Sequence, residues 1–380
     1  MSCAKLGHGA RTLRMHALRR HVFRTLSLPA LALSALTACT PELESRPSQL
    51  LAPRLLAVQA EPAEAAPRAP ITFRALHASP EGSAFPTIRW AFCIARKPLT
   101  EPGTIASTCL RPDDPTLLPL GEGLHAGGSL PEDGCRLFGP DRPPPVAGEP
   151  AGRAVDPDLT GGFYQPVRLH LREDGGDTYA TYGARITCGV AGATPAQAAE
   201  LRSRYRANEN PELTLAWRHD GIDEPLTPEA TEEPTGTPDP GQNPAATVRA
   251  GETLSLRAAW PSCPEEPVCG DGLCTLDEDL AACPADCTAP RGCRGAEFYV
   301  AFDAQAAAVQ RRREGLLVSW FATAGAFDAD RTGRTGDEAE TTTDNTWTAP
   351  DTPGEVRLWL VLRDDRGGTG WQSYRFAVTP

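Results

Sequence analysis

The chain has 380 residues, 38 of them proline and 35 glycine, together about 19% and short of the roughly 25% at which disorder becomes the leading reading. So much proline excludes long helical bundles and coiled coils, because a proline inside a helix forfeits a backbone hydrogen bond. The formal charge of −12 argues against a phosphate-binding surface, which needs clustered Lys and Arg. The length predicts two domains.

In chain order, residues 1–38 come first: Lys5, Arg11, Arg14, Arg19, Arg20 and Arg24, no acid, then the apolar run Leu26 to Leu36. That run is too short to span a bilayer as a helix. A basic start, a short apolar stretch and small residues at the end predict a secretory signal peptide. Its ending, Leu36-Thr37-Ala38-Cys39, resembles the lipobox of bacterial lipoproteins. The resemblance implies acylation of Cys39, which becomes the mature N-terminus and holds the protein to a membrane, with residues 39–50 as a tether. Thr40 after the cysteine implies the outer membrane, by resemblance to enterobacterial sorting. No later stretch is apolar for long enough to form a transmembrane helix. Residues 1–38 carry six of the 37 basic residues and none of the 49 acids, so without them the balance moves from −12 to −18. Nucleic acid and anionic headgroups are then still less suited as partners.

Residues 51–221 read as a first β-sandwich. Arg54 to Ala60, Ile71 to Leu76, Thr87 to Cys93, Val167 to Leu171, Thr178 to Cys188 and Leu213 to Trp217 are short strand patterns separated by Pro, Gly and Ser. Thr194-Pro195-Ala196-Gln197 is a capping box with proline at the first helical position, which predicts one helix running to Arg206. Residues 222–245 hold six acids, no base and six prolines, the composition of an extended linker.

Residues 246–380 repeat the first motif. Leu254 to Ala259 matches Ile71 to Leu76, and Val318-Ser-Trp320 matches Ile88-Arg-Trp90. A tryptophan on the third strand of both halves resembles the immunoglobulin-like sandwich. The expected fold is therefore mainly β: two immunoglobulin-like sandwiches, one short helix, and a disulfide-rich insert at 261–295 between the second and third strands of the second. Val356 to Arg363 alternates as a half-buried strand, Asp364 to Gly368 supplies a turn, and Trp371 to Val378 returns. With Thr346-Trp-Thr-Ala-Pro350 before it, this hairpin resembles the end of bacterial PKD or Ig-like modules.

Ten cysteines remain once Cys3 and Cys39 are set aside: Cys93, Cys109, Cys135 and Cys188 in the first domain, and Cys263, Cys269, Cys274, Cys283, Cys287 and Cys293 in the insert. Even counts fit disulfides in an oxidising compartment. Four cysteines allow three pairings and six allow fifteen; 93–109, 135–188 and an outer 263–293 are the pairs we expect. The insert, Cys269-Gly-Asp-Gly-Leu-Cys274 to Cys283-Pro-Ala-Asp-Cys287, resembles the small CGDGxC…CPxDC modules of secreted bacterial proteins. Disulfides are favoured over zinc there. Asp271, Asp277, Glu278, Asp279 and Asp286 are oxygen ligands of the kind calcium takes, and solvated acids or Asx turns account for them equally. No other cofactor is expected.

Other constellations are weak. Asp328-Ala-Asp330-Arg-Thr332-Gly333 begins like a calcium loop, but its twelfth position is Ala339. There is no G-x-S-x-G and no H-E-x-x-H. Trp217, Trp359 and Trp371 are the rings that could stack on sugar if exposed. In layout, and in its 35 Arg to 2 Lys, the chain resembles the Cys-rich lipoproteins of myxobacteria. The expected function is a non-catalytic binding, adhesive or assembly module of the cell envelope, its partner an envelope protein or glycan. The alternatives are a carbohydrate- or calcium-binding surface module and a hydrolase.

Overall fold

The computed structural model describes residues 46–80, 86–98, 100–141, 147–148, 157–173, 176–229, 244–288 and 290–380. The signal sequence and Cys39 lie outside them. Glu44–Pro380 form one compact unit. No helix among the described residues is long and apolar enough to cross a membrane.

The first sandwich is built from β1 (Arg54–Glu61), β2 (Glu64–Ala65), β3 (Pro70–Ala78), β4 (Thr87–Cys93), β5 (Leu117–Glu122) and β6 (His125–Ser129), then a single turn α1 (Gly134–Leu137), β7 (Phe163–Glu173) and β8 (Gly176–Ile186). One sheet runs β1-β3-β6, the other β2-β8-β7-β4-β5. Ile71 and Phe73 of β3 face Trp90 and Phe92 of β4 and Val167, Leu169 and Leu171 of β7, all nearly or fully buried. The alternation of these residues with polar ones aims one side of each strand at a shared core. Trp90 stacks on Phe73 at 5.9 Å and its ring N–H donates to the Gly123 carbonyl at 2.8 Å, so its one polar atom is satisfied in the core.

After α2 (Pro195–Arg204), which carries the expected capping box of Thr194 and Gln197, come β9 (Thr214–His219), β10 (Ile222–Pro225), β11 (Ala246–Arg249) and β12 (Thr253–Ala259). The insert with its single turn α3 (Pro284–Cys287) follows, then a hairpin of β13 (Phe298–Asp303) and β14 (Ala308–Arg313). The chain ends with β15 (Leu316–Ala322), β16 (Ala326–Phe327), β17 (Arg331–Arg334), β18 (Thr342–Thr348), β19 (Gly354–Asp364) and β20 (Thr369–Thr379). The second sandwich pairs β10-β9-β12-β18-β16 with β11-β20-β19-β15-β17. Its core holds Trp320 of β15, Trp347, Phe376 and the inward row Val356, Leu358, Leu360 and Leu362. The fold is thus mainly β, two immunoglobulin-like sandwiches with a disulfide-rich insert in the second.

Three sequence-based boundaries change. Residues 214–219, placed in the first sandwich, form β9, which pairs with β12 of the second. Residues 222–225, placed in the linker, are strand β10, paired with β9. The acidic segment does not bridge two bodies: the amide of Glu229 donates to the Ser373 carbonyl and that of Ala245 to the Arg375 carbonyl, both at 2.7 Å. Its two ends therefore meet β20 two residues apart, and the sandwiches are joined elsewhere. In addition, the insert of 261–295 continues into the β13–β14 hairpin, and among the described residues two single-turn α-helices and one 3-10 turn (Ser107–Leu110) accompany the expected helix.

The junction is face to face. The outer side of β15 and β19–β20 presents Phe321, Trp359, Val361 and Trp371, and these pack with Leu50 against Leu56, Ala57, Leu76 and Ala78 of the first sandwich. Arg74 of β3 lies over the Trp371 ring at 4.9 Å.

Candidate functional site

Beside that apolar layer sits a buried cluster of charge. Glu64 leaves β2, Arg185 lies on β8, Tyr205 to Asn208 follow α2, Glu297 precedes β13, Glu314 precedes β15, and Asp364 and Arg366 form the β19–β20 turn. Arg366 has no exposed surface. Its guanidinium lies 3.1 Å from Glu297, 3.2 Å from Glu314 and 3.6 Å from Glu64, donates to the Arg206 carbonyl at 2.7 Å, and rests 4.8 Å above the Tyr299 ring. Arg185 meets Glu64 at 3.0 Å and donates to Thr160 at 2.7 Å. Glu64 also accepts from Thr187, Tyr205 and the Asn208 amide. Asp364 accepts from the amides of Arg366 and Gly368 at 2.9 and 2.7 Å.

The carboxyls here split in their proton affinity. Burial works against the charge of Glu64 but is outweighed by Arg185 and Arg366, so its pKa is lowered. Burial pushes Glu297 up to about 7. Burial, then the charge of Asp364, holds Glu314 well above the ordinary range, and burial raises Asp364. Every partner in the cluster is another protein group, and its four carboxyls line neither of the clefts described next. Its chemistry is cohesion: it ties the first sandwich, the segment after α2, the hairpin and the second sandwich at one point.

Two clefts border this cluster. The first, of about 370 Å³, lies between the end of α2 with the segment after it (Ser203, Tyr205, Glu209) and the insert (Cys274, Leu280, Cys287). The second, of about 770 Å³, lies between the loop 158–160 and the hairpin, with Phe298, Tyr299, Arg311 and Asp365 in its wall. Arg311 stacks on Phe298 at 4.3 Å, and Arg312 donates to the Leu159 carbonyl. Leu159 at the second cleft is 89% exposed and Leu280 at the first 60%, large apolar side chains placed in water. Burial raises the pKa of Glu209 and of Asp365. Each accepts a backbone N–H, from Gly292 and Gly315. Ser203 lines the first cleft without a histidine beside it.

All ten cysteines form disulfides: 93–109, 135–188, 263–293, 269–283 and 274–287. The first three are the pairs expected from the sequence; the inner two interleave. Cystine sulfur is no thiolate, so Cys274, Cys283 and Cys287, which lie near Glu278 and Asp286, are not metal ligands here.

The carboxylates considered for calcium are occupied by the chain itself. Asp286 accepts from the amides of Gly270 and Gly272 at 2.5 and 3.1 Å. Glu278 accepts from Val268 and Thr275, both at 2.8 Å. Asp271 accepts from Leu273, Asp279 from Ala281 and Ala282, and Asp277 pairs with Arg204 at 2.7 Å. These amide hydrogen bonds are the arrangement that the Asx-turn reading describes, and Glu278 and Asp286 in addition place carboxylate oxygens within 4.8 Å of each other. The motif glycines are needed for the same reason: Gly270 and Gly272 have φ of +95° and +84°, which turns both amides onto Asp286.

The tryptophan platform is absent: all seven tryptophans are described, and none is exposed. Trp359 and Trp371 belong to the layer between the sandwiches, and Trp217 packs against the second core. Of the stretch from Asp328 to Gly333, residues 328–330 lie between β16 and β17 and the rest begin β17, and Asp330 accepts from the Ser48 amide at 3.3 Å.

The charge cluster, both clefts and the β13–β14 hairpin escaped sequence reasoning. Only the hairpin left a signal, the run Phe298-Tyr-Val-Ala-Phe302, whose following turn has neither glycine nor proline.

No protein-family model matches the chain, and no curated protein matches it. Among solved structures it is similar, at 10% identity and a TM-score of 0.20, to the Yersinia pseudotuberculosis adhesin InvE, over 84% of this chain and 58% of that one. It is also similar to the C-terminal domain of the Streptococcus agalactiae AgI/II polypeptide BspA, at 8% identity and a TM-score of 0.20, over 82% and 93%. The chain thus spans little more than half of the adhesin's length.

Proposed function

We propose that this protein is an acyl-anchored lipoprotein of a bacterial outer envelope, held by Cys39, that acts as a non-catalytic binding or assembly module. The face formed by α2, the insert and the hairpin meets its partner, an envelope protein or glycan. The observation that carries the reading is that face. Irregular loops braced by three disulfides surround two clefts and hold Leu159 and Leu280 in solvent, on a rigid double sandwich. Loops on a rigid scaffold are where binding residues concentrate, and exposed apolar groups mark contact sites. The most perturbed carboxyls turn inward to Arg185 and Arg366, which supports a structural use of them.

Two measurements test the reading. Cys39→Ala is expected to abolish acyl labelling and to release the protein from the membrane fraction; unchanged membrane association overturns the anchor. Photo-crosslinkers at Leu159 and Leu280 are expected to capture envelope neighbours more strongly than one at Ile222, which is 64% exposed on β10. Equal capture at all three sites overturns the assignment of the face.

A further inference from the structure

The described end of the tether, residues 46–50, is fixed to the second sandwich. The Ala322 amide donates to the Ser48 carbonyl, and the Leu50 amide to the Ala322 carbonyl, both at 2.9 Å. Gln49 thereby bridges Ala322 in parallel register, Arg46 donates to the Phe327 carbonyl at 2.6 Å, and Leu50 is buried. The chain is thus fixed to the β15 edge of the second sandwich from Arg46 onward. Cys39 lies seven peptide steps away, at most about 25 Å along an extended chain.

Around that exit the surface departs from the acidic balance of the molecule. On β15, Leu317 is exposed, Ser319 is buried and Phe321 packs in the layer between the sandwiches, while Leu316, Val318, Trp320 and Ala322 enter the second core. Arg331 pairs in register with Ser319, and Arg363 with Leu317. Arg54 lies 5.1 Å over the Phe321 ring and donates to the Pro47 carbonyl at 2.6 Å. Arg46, Arg54 and Arg331 are exposed and Arg363 half-buried. No carboxylate among the described residues lies within ion-pair distance of any of the four, whereas Arg68, Arg89 and Arg136 elsewhere on the surface each hold one. The acids of the adjoining loop are Asp328, which is exposed, and Asp330, which is engaged by Ser48. Leu51, 67% exposed, and Leu317, 42% exposed, stand in the same region.

We infer that this arginine patch is a membrane-contact surface for anionic phospholipid headgroups, which sets the β15–β17 edge of the second sandwich against the bilayer that anchors the protein. It rests on the anchored reading for its setting. Three things favour a lipid surface as occupant: the shortness of the tether, the exposed guanidiniums of Arg46, Arg54 and Arg331, which meet no carboxylate among the described residues, and exposed leucines among them; Arg363 is engaged by the Leu56 carbonyl. Arginine is attracted to an anionic leaflet within a Debye length, about fivefold in partition for each residue.

The test uses the chain from Glu44 onward, which holds both cores and all five disulfides within one compact unit and lacks Cys39. It is expected to float with vesicles of phosphatidylcholine containing about a third phosphatidylglycerol, roughly tenfold or more above pure phosphatidylcholine, and to be released by high salt. Arg54→Glu with Arg331→Glu should abolish flotation, Arg331→Glu alone should weaken it, and Arg54→Lys with Arg331→Lys should retain it, all with unchanged thermal midpoints. Equal flotation with both vesicle types, or flotation of the double reversal like the parent, overturns the inference. So does competition by inorganic phosphate at constant ionic strength, which would mean a discrete phosphate site. Acyl labelling at Cys39 is scored separately, so failure of the anchor and failure of the patch are distinguishable.

Discussion

Glu297 and Glu314 both meet Nη1 of one guanidinium, that of Arg366, and each accepts a backbone amide as well, from Cys293 and Glu297. Their ordinary pKa is 4.5, and burial lifts one to about 7 and the other well above its usual range. The folded state therefore keeps protons that the unfolded chain releases. The stability they contribute is complete below about pH 4.5; the part from Glu297 is lost as pH rises through about 7, and the part from Glu314 as pH rises through its own raised value. Glu64 is shifted the other way, so its contribution is present above the same unfolded value and lost only in acid. Between pH 5.5 and 8 the first effect acts alone, and the thermal midpoint should fall with rising pH. Glu297→Gln or Glu314→Gln should flatten that slope, measured by calorimetry; a midpoint that rises with pH contradicts the account. Arg366→Met removes the cation that Glu64, Glu297 and Glu314 share and the donor to the Arg206 carbonyl, and breaking these buried contacts from one side is expected to cost about 3–5 kcal/mol in denaturant unfolding. None of this was legible in the sequence. Arg366 lies in Asp-Asp-Arg-Gly-Gly, which reads as exposed turn chemistry, and only the packing of the insert and the first sandwich over that turn removes it from water.

Elements were more legible than their partners. Thr87–Cys93 is the strand that its composition predicts, and the capping box starts α2 where Thr194 places it. Alternation of apolar residues acts within one strand, so it can be read locally. Pairing across the sheet cannot: β9 joins the second sandwich because Leu215 fits that core, a fact of long-range packing. The β13–β14 hairpin was missed because Arg311-Arg-Arg313 has no apolar face; its arginines gain their place by stacking on Phe298. The acidic segment misled through composition. Its ends are bound to β20 at Ser373 and Arg375, roughly 7 Å apart on a strand. Replacing residues 231–242 by Gly-Ser should therefore leave stability within about 0.5 kcal/mol of the parent. A loss above about 2 kcal/mol would show that the segment joins the two bodies after all.

At the scale of the molecule, the two sandwiches share an apolar layer and a buried charge cluster, so they are expected to unfold together. Trp359 is 6% exposed in that layer; Trp359→Ala should cost about 3–5 kcal/mol and split the single transition into two. Trp347→Ala, inside the second core, should lower stability without that split. Two resolved transitions in the parent would contradict the shared layer. The sequence by itself determined the strand-rich class, the paired tryptophans of the two sandwiches, the cystine insert and the lipobox resemblance at Cys39, because strand periodicity, turn residues and cysteine spacing are local properties. Only the tertiary structure decided how the sandwiches stack, that the insert's acids bind backbone amides, and where arginines lose or keep their counter-charges. Those outcomes depend on which distant groups displace water from a side chain, and separation along the chain carries no record of that.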